Sequence, residues 1–165
     1  MNSYINPLIF IDNRSLFISF IASLLIYVMF FAVFLLWIIP GPFSKKNFIH
    51  AVIASFIALG ISESIKYLFP TLRPFEFHGG PILTLTIPHD SSFPSIHSAT
   101  SFALASSVIK YDKKIGIYFI IGAILVALGR VLGNVHSMTD VLGGVVIGVC
   151  SVILLDKLRI IRRLR

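Results

Sequence analysis

A charge-free stretch from Ser15 to Ser44 is the strongest constraint on how this chain folds. Its apolar part, Leu16–Ile39, exceeds the roughly 20 residues that an α-helix needs to cross the hydrocarbon core of a bilayer. The stretch is too long for the apolar region of a signal peptide and has no basic start or clear cleavage site, so we expect it to be retained. It therefore predicts a first membrane-spanning helix.

Four further apolar segments follow, at about 48–69, 94–110, 115–133 and 139–155. Of the 165 residues, 56% are hydrophobic and only 13% are charged, against about 25% charged in soluble proteins. A soluble protein of this size could not bury so much apolar surface. We therefore predict an all-α polytopic membrane helix bundle of about five transmembrane helices. It forms one domain, 1–165, with a possible interfacial segment over residues 1–12.

The distribution of Lys and Arg predicts an orientation. Ten of the 14 lie between spans one and two, between spans three and four, or after span five: Lys45, Lys46, Lys110, Lys113, Lys114, Lys157, Arg159, Arg162, Arg163 and Arg165. If the spans alternate, all of these share one side, which the positive-inside rule makes cytoplasmic. We expect a multi-pass protein of the cell (inner) membrane with a cytoplasmic basic C-terminal tail. Because the cations flank membrane segments, the net charge of +7 does not indicate nucleic-acid binding.

Three short motifs lie at the opposite, external ends of these helices. They are Lys66–Pro74 (KYLFPTLRP), Pro94–His97 (PSIH) and Arg130–Asp140 (RVLGNVHSMTD). Ionisable groups at membrane depth are costly and therefore indicate function. Lys66, Arg73 and Arg130 would repel one another without an anion between them, and a phosphate group suits both side-chain types. Snorkelling cations or a plain capped helix would explain single motifs but not their combination.

The histidines add chemistry to this anion site. His136 and Asp140 share one face if their segment is helical. A carboxylate bonded to one imidazole nitrogen frees the other nitrogen for attack or for a metal. A structural hydrogen bond is the alternative, and a metal is disfavoured because no Asp or Glu cluster accompanies the histidines. The segment around Ser95 is typical of a helix start, whose N–H groups bind anions.

Together the motifs resemble those of the type 2 phosphatidic acid phosphatase superfamily of membrane lipid phosphatases, which read K-x6-RP, PSGH and SR-x5-H-x3-D. The residues in register are Lys66, Arg73, Pro74, Pro94, Ser95, His97, Arg130, His136 and Asp140. Ile96 replaces the usual Gly, and we expect it to alter selectivity. Gly129 replaces the usual Ser, which we expect to remove only a possible hydroxyl donor. The resemblance covers residues 66–140.

The resemblance implies a mechanism. His136 attacks phosphorus, Asp140 orients its ring, and His97 protonates the leaving oxygen and then helps activate water. The implied phosphate-binding residues are Lys66, Arg73, Ser95, Ile96 (through its backbone N–H) and Arg130. We expect no metal and no other cofactor. Because His136 must be neutral while His97 is protonated, activity should depend on pH in a bell shape.

The substrate expected from the resemblance and the topology is a lipid phosphate within the bilayer, with undecaprenyl diphosphate first. Phosphatidylglycerol phosphate, phosphatidic acid and a lipid A phosphate fit the same chemistry. A phosphotransferase differs only in whether an alcohol outcompetes water. From another class, a lipid or anion transporter or a non-catalytic binding protein also fits, because buried charges mark transport paths too.

Residues outside the motifs carry further predictions. Glu63, three residues before Lys66, is expected to act as its structural counter-ion. His50 is expected at the inner interface, far from the motifs. Cys150 lies in an apolar run and is expected to be a small buried hydrophobe. The apolar side chains of the loop over residues 70–92 suggest a lid that rests on lipid near the site.

Overall fold

The computed structural model describes residues 13–39 and 43–158, and within these ranges all regular secondary structure is helical. The elements are α1 (Asn13–Ser19), a π-helical segment (Phe20–Leu24), α2 (Leu25–Ile38), α3 (Lys45–Leu68), α4 (Pro74–His78), α5 (Ile96–Tyr111), α6 (Lys113–Leu132) and α7 (Met138–Lys157). The all-α prediction is confirmed. The first three elements are continuous and form the first membrane helix. The predictions for residues 1–12 and for the tail beyond Leu158 lie outside the described residues.

Among the described residues, four helices are long and apolar enough to cross a bilayer: Ser15–Ile38, Lys45–Leu68, Lys113–Leu132 and Met138–Lys157. Helix α5 has 16 residues, fewer than the roughly 20 of a full span. It lies at the centre of the bundle, between α3, α6 and α7. One apolar cluster joins it to the first helix and α6, and another joins it to α3 and α7. The five predicted spans are therefore four long helices packed around a shorter fifth.

Small residues allow α5 and α7 to approach closely. A Cβ added at Gly144 would lie 2.5 Å from the carbonyl oxygen of Ser95, and one at Gly148 would lie 2.4 Å from that of Ala99. This four-residue spacing is the small-xxx-small pattern of packed membrane helices. The Ser95 N–H donates to the carbonyl oxygen of Asp140 at 3.0 Å. Close packing thus joins the beginnings of the two helices that carry the second and third motifs.

A polar cluster joins the other ends of α3, α5 and α7. His50 Nδ1 lies 2.9 Å from Ser107 Oγ, and His50 Nε2 lies 3.1 Å from Asp156 Oδ1. Lys110 Nζ also contacts Asp156. His50 is only 2% exposed, so its predicted interfacial position is wrong, because the histidine is a hydrogen-bonding group of the core. Cys150 is exposed on α7, so its predicted burial is wrong as well.

The motif residues and the basic flanks lie at opposite ends of the same helices. Lys45 begins α3 and Lys113 begins α6, whereas Lys66 and Arg130 lie in the last turns of those helices. The alternation of charged ends that the positive-inside argument requires is therefore present in the fold. The loop predicted over residues 70–92 contains the short helix α4, which was not predicted.

The α5–α7 contact can be tested by adding one methyl group. We expect Gly148→Ala to lower the unfolding temperature in detergent, because overpacking costs about 1–3 kcal/mol. Gly60→Ala in α3 is the matched control, since nothing lies within 4 Å of a Cβ added there. That control should be neutral or slightly stabilising, because Ala is the better helix former. Equal unfolding temperatures for the two variants would contradict the packing.

Candidate active site

Lys66 and Arg73 meet at a carboxylate that no motif predicts. Lys66 Nζ lies 2.7 Å from Asp90 Oδ2, and Arg73 Nη2 lies 2.7 Å from Asp90 Oδ1. The two cations are 5% and 2% exposed. Their burial requires a matching charge, which Asp90 supplies. Glu63 is exposed, so the prediction that it is the counter-ion of Lys66 is wrong.

The charge of Asp90 is held firmly. Burial raises the pKa of this carboxyl, but the hydrogen bond and charge of Lys66 and the charge of Arg73 outweigh it and lower the pKa to about 2. Asp90 is therefore ionised at every pH above that value. Its position in a Pro-rich loop, outside any recognised spacing, explains why it could not be predicted from the sequence.

Every N–H group of Arg73 has an acceptor. Besides the Asp90 carboxylate, Nε donates to the Asp90 carbonyl oxygen at 3.0 Å and Nη2 to that of Ser91 at 3.3 Å. Nη1 donates to the Val135 carbonyl oxygen at 2.8 Å and lies 3.3 Å from His136 Nε2. A guanidinium has five N–H donors, so Arg73 is fully used. It holds together the loop before α5 and the loop before α7.

His136 precedes α7 instead of lying within it, so the two residues do not share a helical face, although the pair is close. Ser137 is the N-cap, and Asp140 lies in the first turn. His136 Nδ1 lies 3.6 Å from Asp140 Oδ2, and this buried nitrogen has no hydrogen-bond partner among the described residues. Asp140 Oδ2 accepts Ser92 Oγ–H and Ser137 N–H, both at 2.7 Å. Nδ1 of the His136 ring thus faces a fixed carboxylate, and Nε2 faces Arg73. Nε2 is therefore the ring nitrogen that Asp140 does not face.

The second motif forms the start of α5. Ser95 is the N-cap, and Pro94 lies directly before it, outside the helix. Ser95 is fully buried, and its Oγ accepts the Ser98 N–H at 3.4 Å and the Ser98 hydroxyl at 3.1 Å. The N–H groups of Ile96 and His97 are left at the open end of the helix. This is the arrangement that the predicted anion site requires.

A cavity of about 250 Å³ lies between these elements. Its walls are formed by Ser23, Leu24, Tyr27, Lys66, Arg73, Leu85, Thr86, Pro88, Asp90, Ile96, His97, Arg130 and His136. The structure therefore brings the predicted site residues together. Ser95 and Asp140 lie behind its wall, as a helix cap and as the partner of His136. An apolar cavity of about 400 Å³ adjoins it and shares Tyr27, Ile96 and His97.

The first membrane helix also takes part, which no motif predicts. Arg130 Nη1 donates to the carbonyl oxygen of Ala22 at 3.1 Å, within the π-helical segment. A Cβ added at Gly129 would lie 2.7 Å from the Ala22 nitrogen. Gly129 therefore does more than omit a hydroxyl donor, because it lets the first helix approach Arg130. Buried Arg130 Nε has no partner within the described ranges, so this arginine keeps donors for a ligand.

Hydrogen bonds fasten the loop beyond α4 to the first helix and to the end of α6. Ser19 Oγ donates to the Leu83 carbonyl oxygen at 3.2 Å, and the Leu85 N–H donates to Ser23 Oγ at 3.2 Å. The Leu83 N–H donates to the Gly133 carbonyl oxygen at 3.1 Å. Leu85 is 62% exposed although it also lines the cavity. The lid stays a prediction, with its points of attachment now defined.

Long apolar helices enclose buried cations and two histidines, His97 and His136. This arrangement is typical of a membrane protein with an anion site. The family model described as the PAP2 superfamily matches residues 47–160, and the chain belongs to this family. Undecaprenyl-diphosphatase BcrC of Bacillus subtilis (strain 168) is 31% identical over 116 residues, which is 69% of this chain and 58% of the relative. The undecaprenyl-diphosphatase of Sulfolobus acidocaldarius is 35% identical over 106 residues, 64% of this chain and 52% of the relative. The chain thus spans little more than half the length of these two relatives.

Among solved structures, Aquifex aeolicus LpxE has a similar fold. The two chains align with a TM-score of 0.71 and 26% sequence identity, over 94% of this chain and 90% of that one. The predicted superfamily and the multi-pass membrane architecture are confirmed. The family match begins after the first helix, so the contact between Ala22 and Arg130 lies partly outside it.

The surroundings of His136 predict how its ring titrates. Burial lowers its pKa, the contact with Asp140 raises it, and the charges of Arg130 and Arg73 lower it further, to about 4. We expect ¹⁵N NMR of histidine-labelled protein to show a ring that is neutral from about pH 5 upward. The signal can be assigned by its loss in His136→Asn. A His136 signal that titrates near its ordinary value of about 6.5 would contradict the burial.

Proposed function

We propose that this protein is a membrane lipid phosphate phosphatase that works through a phosphohistidine intermediate. One observation carries the proposal: Lys66, Arg73, Arg130, His97 and His136 line one cavity. The cations supply charge-assisted hydrogen bonds to phosphate oxygens. The histidines supply a nucleophile and an acid. An anion transporter needs the charges, but a histidine set against a fixed carboxylate, beside a second histidine, is more than anion transport requires.

The first step forms a bond from His136 Nε2 to phosphorus and breaks the bond from phosphorus to the leaving oxygen. His97 gives its proton to that oxygen, a contribution worth about 10²–10⁴ in rate. Asp140, held by Ser92 and Ser137, stabilises the positive charge that develops on the His136 ring. Arg130 and the N–H groups at the start of α5 stabilise the charge on the phosphoryl oxygens.

The second step hydrolyses the phosphohistidine. Neutral His97 accepts a proton from a water molecule while the oxygen of that water attacks phosphorus. The bond from phosphorus to Nε2 breaks, inorganic phosphate leaves, and His136 returns to its neutral form. Both histidines thus end in their starting protonation states, as a catalytic cycle requires.

The substrate we propose is undecaprenyl diphosphate, hydrolysed to undecaprenyl phosphate and inorganic phosphate. The names of the relatives from Bacillus subtilis and Sulfolobus acidocaldarius support it. We place the site at the external face of the cell membrane and the basic helix ends at the cytoplasmic face, in accord with the positive-inside rule. Residues 1–165 act as one domain in this proposal.

The decisive assay is phosphate release by detergent-purified protein with EDTA present. We expect release from undecaprenyl diphosphate, and a loss of at least about a thousandfold in His136→Ala because the nucleophile is gone. His89→Ala, in the exposed part of the loop, should keep full activity. Phosphatidylglycerol phosphate, phosphatidic acid and lipid A complete the panel, and added alcohol tests for phosphotransfer. Folded wild-type protein that binds these lipids but releases no phosphate would favour a transporter or a binding protein.

The pH dependence of kcat, which reports the enzyme–substrate complex, should be bell-shaped. The pKa of His136 is lowered to about 4 before substrate binds, so protonation of the nucleophile removes activity at the acid end of the profile. Activity falls again at higher pH, because His97 loses the proton that the charge of the bound phosphate helps it to hold. Asp140→Asn should move the acid limb to lower pH, because the carboxylate raises the pKa of His136. A flat profile from about pH 4 to 9, with chemistry rate-limiting, would contradict the two roles.

A further inference from the structure

The phosphate-binding cations already hold an anion that belongs to the protein. The two carboxylate oxygens of Asp90 lie 2.7 Å from Lys66 Nζ and 2.7 Å from Arg73 Nη2, one each. A phosphate bound by these cations would place two of its oxygens in the same way. Asp90 also lines the cavity itself. It therefore occupies the position that a substrate phosphate needs in order to reach both cations.

The three cations of the cavity differ in how many of their N–H donors already have an acceptor. Arg73 has an acceptor for each of its N–H groups, and Lys66 donates to Asp90 and to the Ser91 carbonyl oxygen. Arg130 donates from Nη1 to Ala22, and its buried Nε has no partner in the part of the chain described. A phosphate can thus bind Arg130 and the third N–H of Lys66 directly, but it reaches Arg73 only in exchange for Asp90.

We infer that Asp90 is a specificity-determining residue, whose carboxylate gives way at Lys66 and Arg73 to a terminal phosphate but not to a phosphodiester. This inference deepens the proposed function and rests on it. The Asp90 side chain is 48% exposed, so it can turn to water while the incoming phosphate takes its place at the two cations. Arg73 Nε can keep its bond to the Asp90 carbonyl oxygen during the exchange, so the loop need not detach.

Charge and oxygen count explain the selection. A terminal phosphate carries about −1.5 to −2 charges at pH 7 and three acceptor oxygens, so it exceeds the single charge and two oxygens of a carboxylate. A phosphodiester carries one charge and two free oxygens and therefore gains nothing by exchange with Asp90. Ordinary membrane phospholipids are phosphodiesters and surround the site in large excess. A resident carboxylate keeps them from occupying the cations as competitive inhibitors.

The test is inhibition of Asp90→Asn by a phosphodiester lipid. Hydrolysis of a terminal-phosphate lipid is measured in mixed micelles with increasing dioleoyl phosphatidylglycerol. We expect its inhibition constant to fall at least about tenfold in Asp90→Asn, since one charge-assisted competitor is lost, and KM for the substrate to fall as well, because the substrate phosphate also displaces Asp90. Asp112→Asn removes the same charge at the far end of the bundle, at the N-cap of α6, and should match the wild type. Equal inhibition constants in Asp90→Asn and Asp112→Asn would overturn the inference.

A binding experiment separates this inference from the phosphatase proposal. Thermal unfolding of the His136→Ala protein is followed with inorganic phosphate or with dimethyl phosphate, since a ligand that binds the folded state raises the unfolding temperature. We expect phosphate alone to stabilise it, and both anions to stabilise it once Asp90→Asn is added. Equal stabilisation by both anions with Asp90 intact would overturn the inference whether or not the double variant folds. Because no turnover is measured, the result stands even if the panel of lipids yields no phosphate release.

Discussion

Lys66 and Arg73 can be buried side by side because their N–H groups are matched by acceptors, and the rest of the site depends on this match. Arg73 is the centre of it, because its five N–H groups are shared among the loop before α5, the loop before α7 and the ring of His136. Without that match, mutual repulsion and desolvation would drive the loops apart. The same bonds that neutralise the arginine therefore also fix the position of His136.

The helices and the motif side chains could be predicted from the sequence because their signals are local. Apolar length predicts spans, and fixed spacing places Lys66, Arg73, Arg130, His97 and His136 at one end of the bundle. Asp90 could not be predicted in this way. It belongs to a loop with no periodicity, and its role depends on two cations that are distant in sequence, on α3 and just before α4. Its contact with the two cations is visible only in the tertiary fold.

The glycines show a second limit of sequence reasoning. At Gly129 the absent side chain matters more than any hydroxyl that a Ser would have offered, because the Ala22 backbone occupies that space. A motif records which residues are present, whereas the close approach of two helices depends on atoms that are missing. The position of His50 could not be predicted for a related reason. Its partners Ser107 and Asp156 lie on other helices, so nothing near it in sequence indicates a core position.

Ile96 stands where the ionic cavity meets the apolar one, and Tyr27 and His97 border both. A molecule that fills both spaces has its charged end among cations and its hydrocarbon end among the first helix, α3 and α5. Such a ligand reaches the site from within the bilayer and does not pass through water, because its hydrocarbon end is insoluble there. Only a phosphate ion released from it would be soluble. Encounter between protein and ligand is then a two-dimensional diffusion problem, in which the ligand's mole fraction in the membrane replaces its bulk concentration.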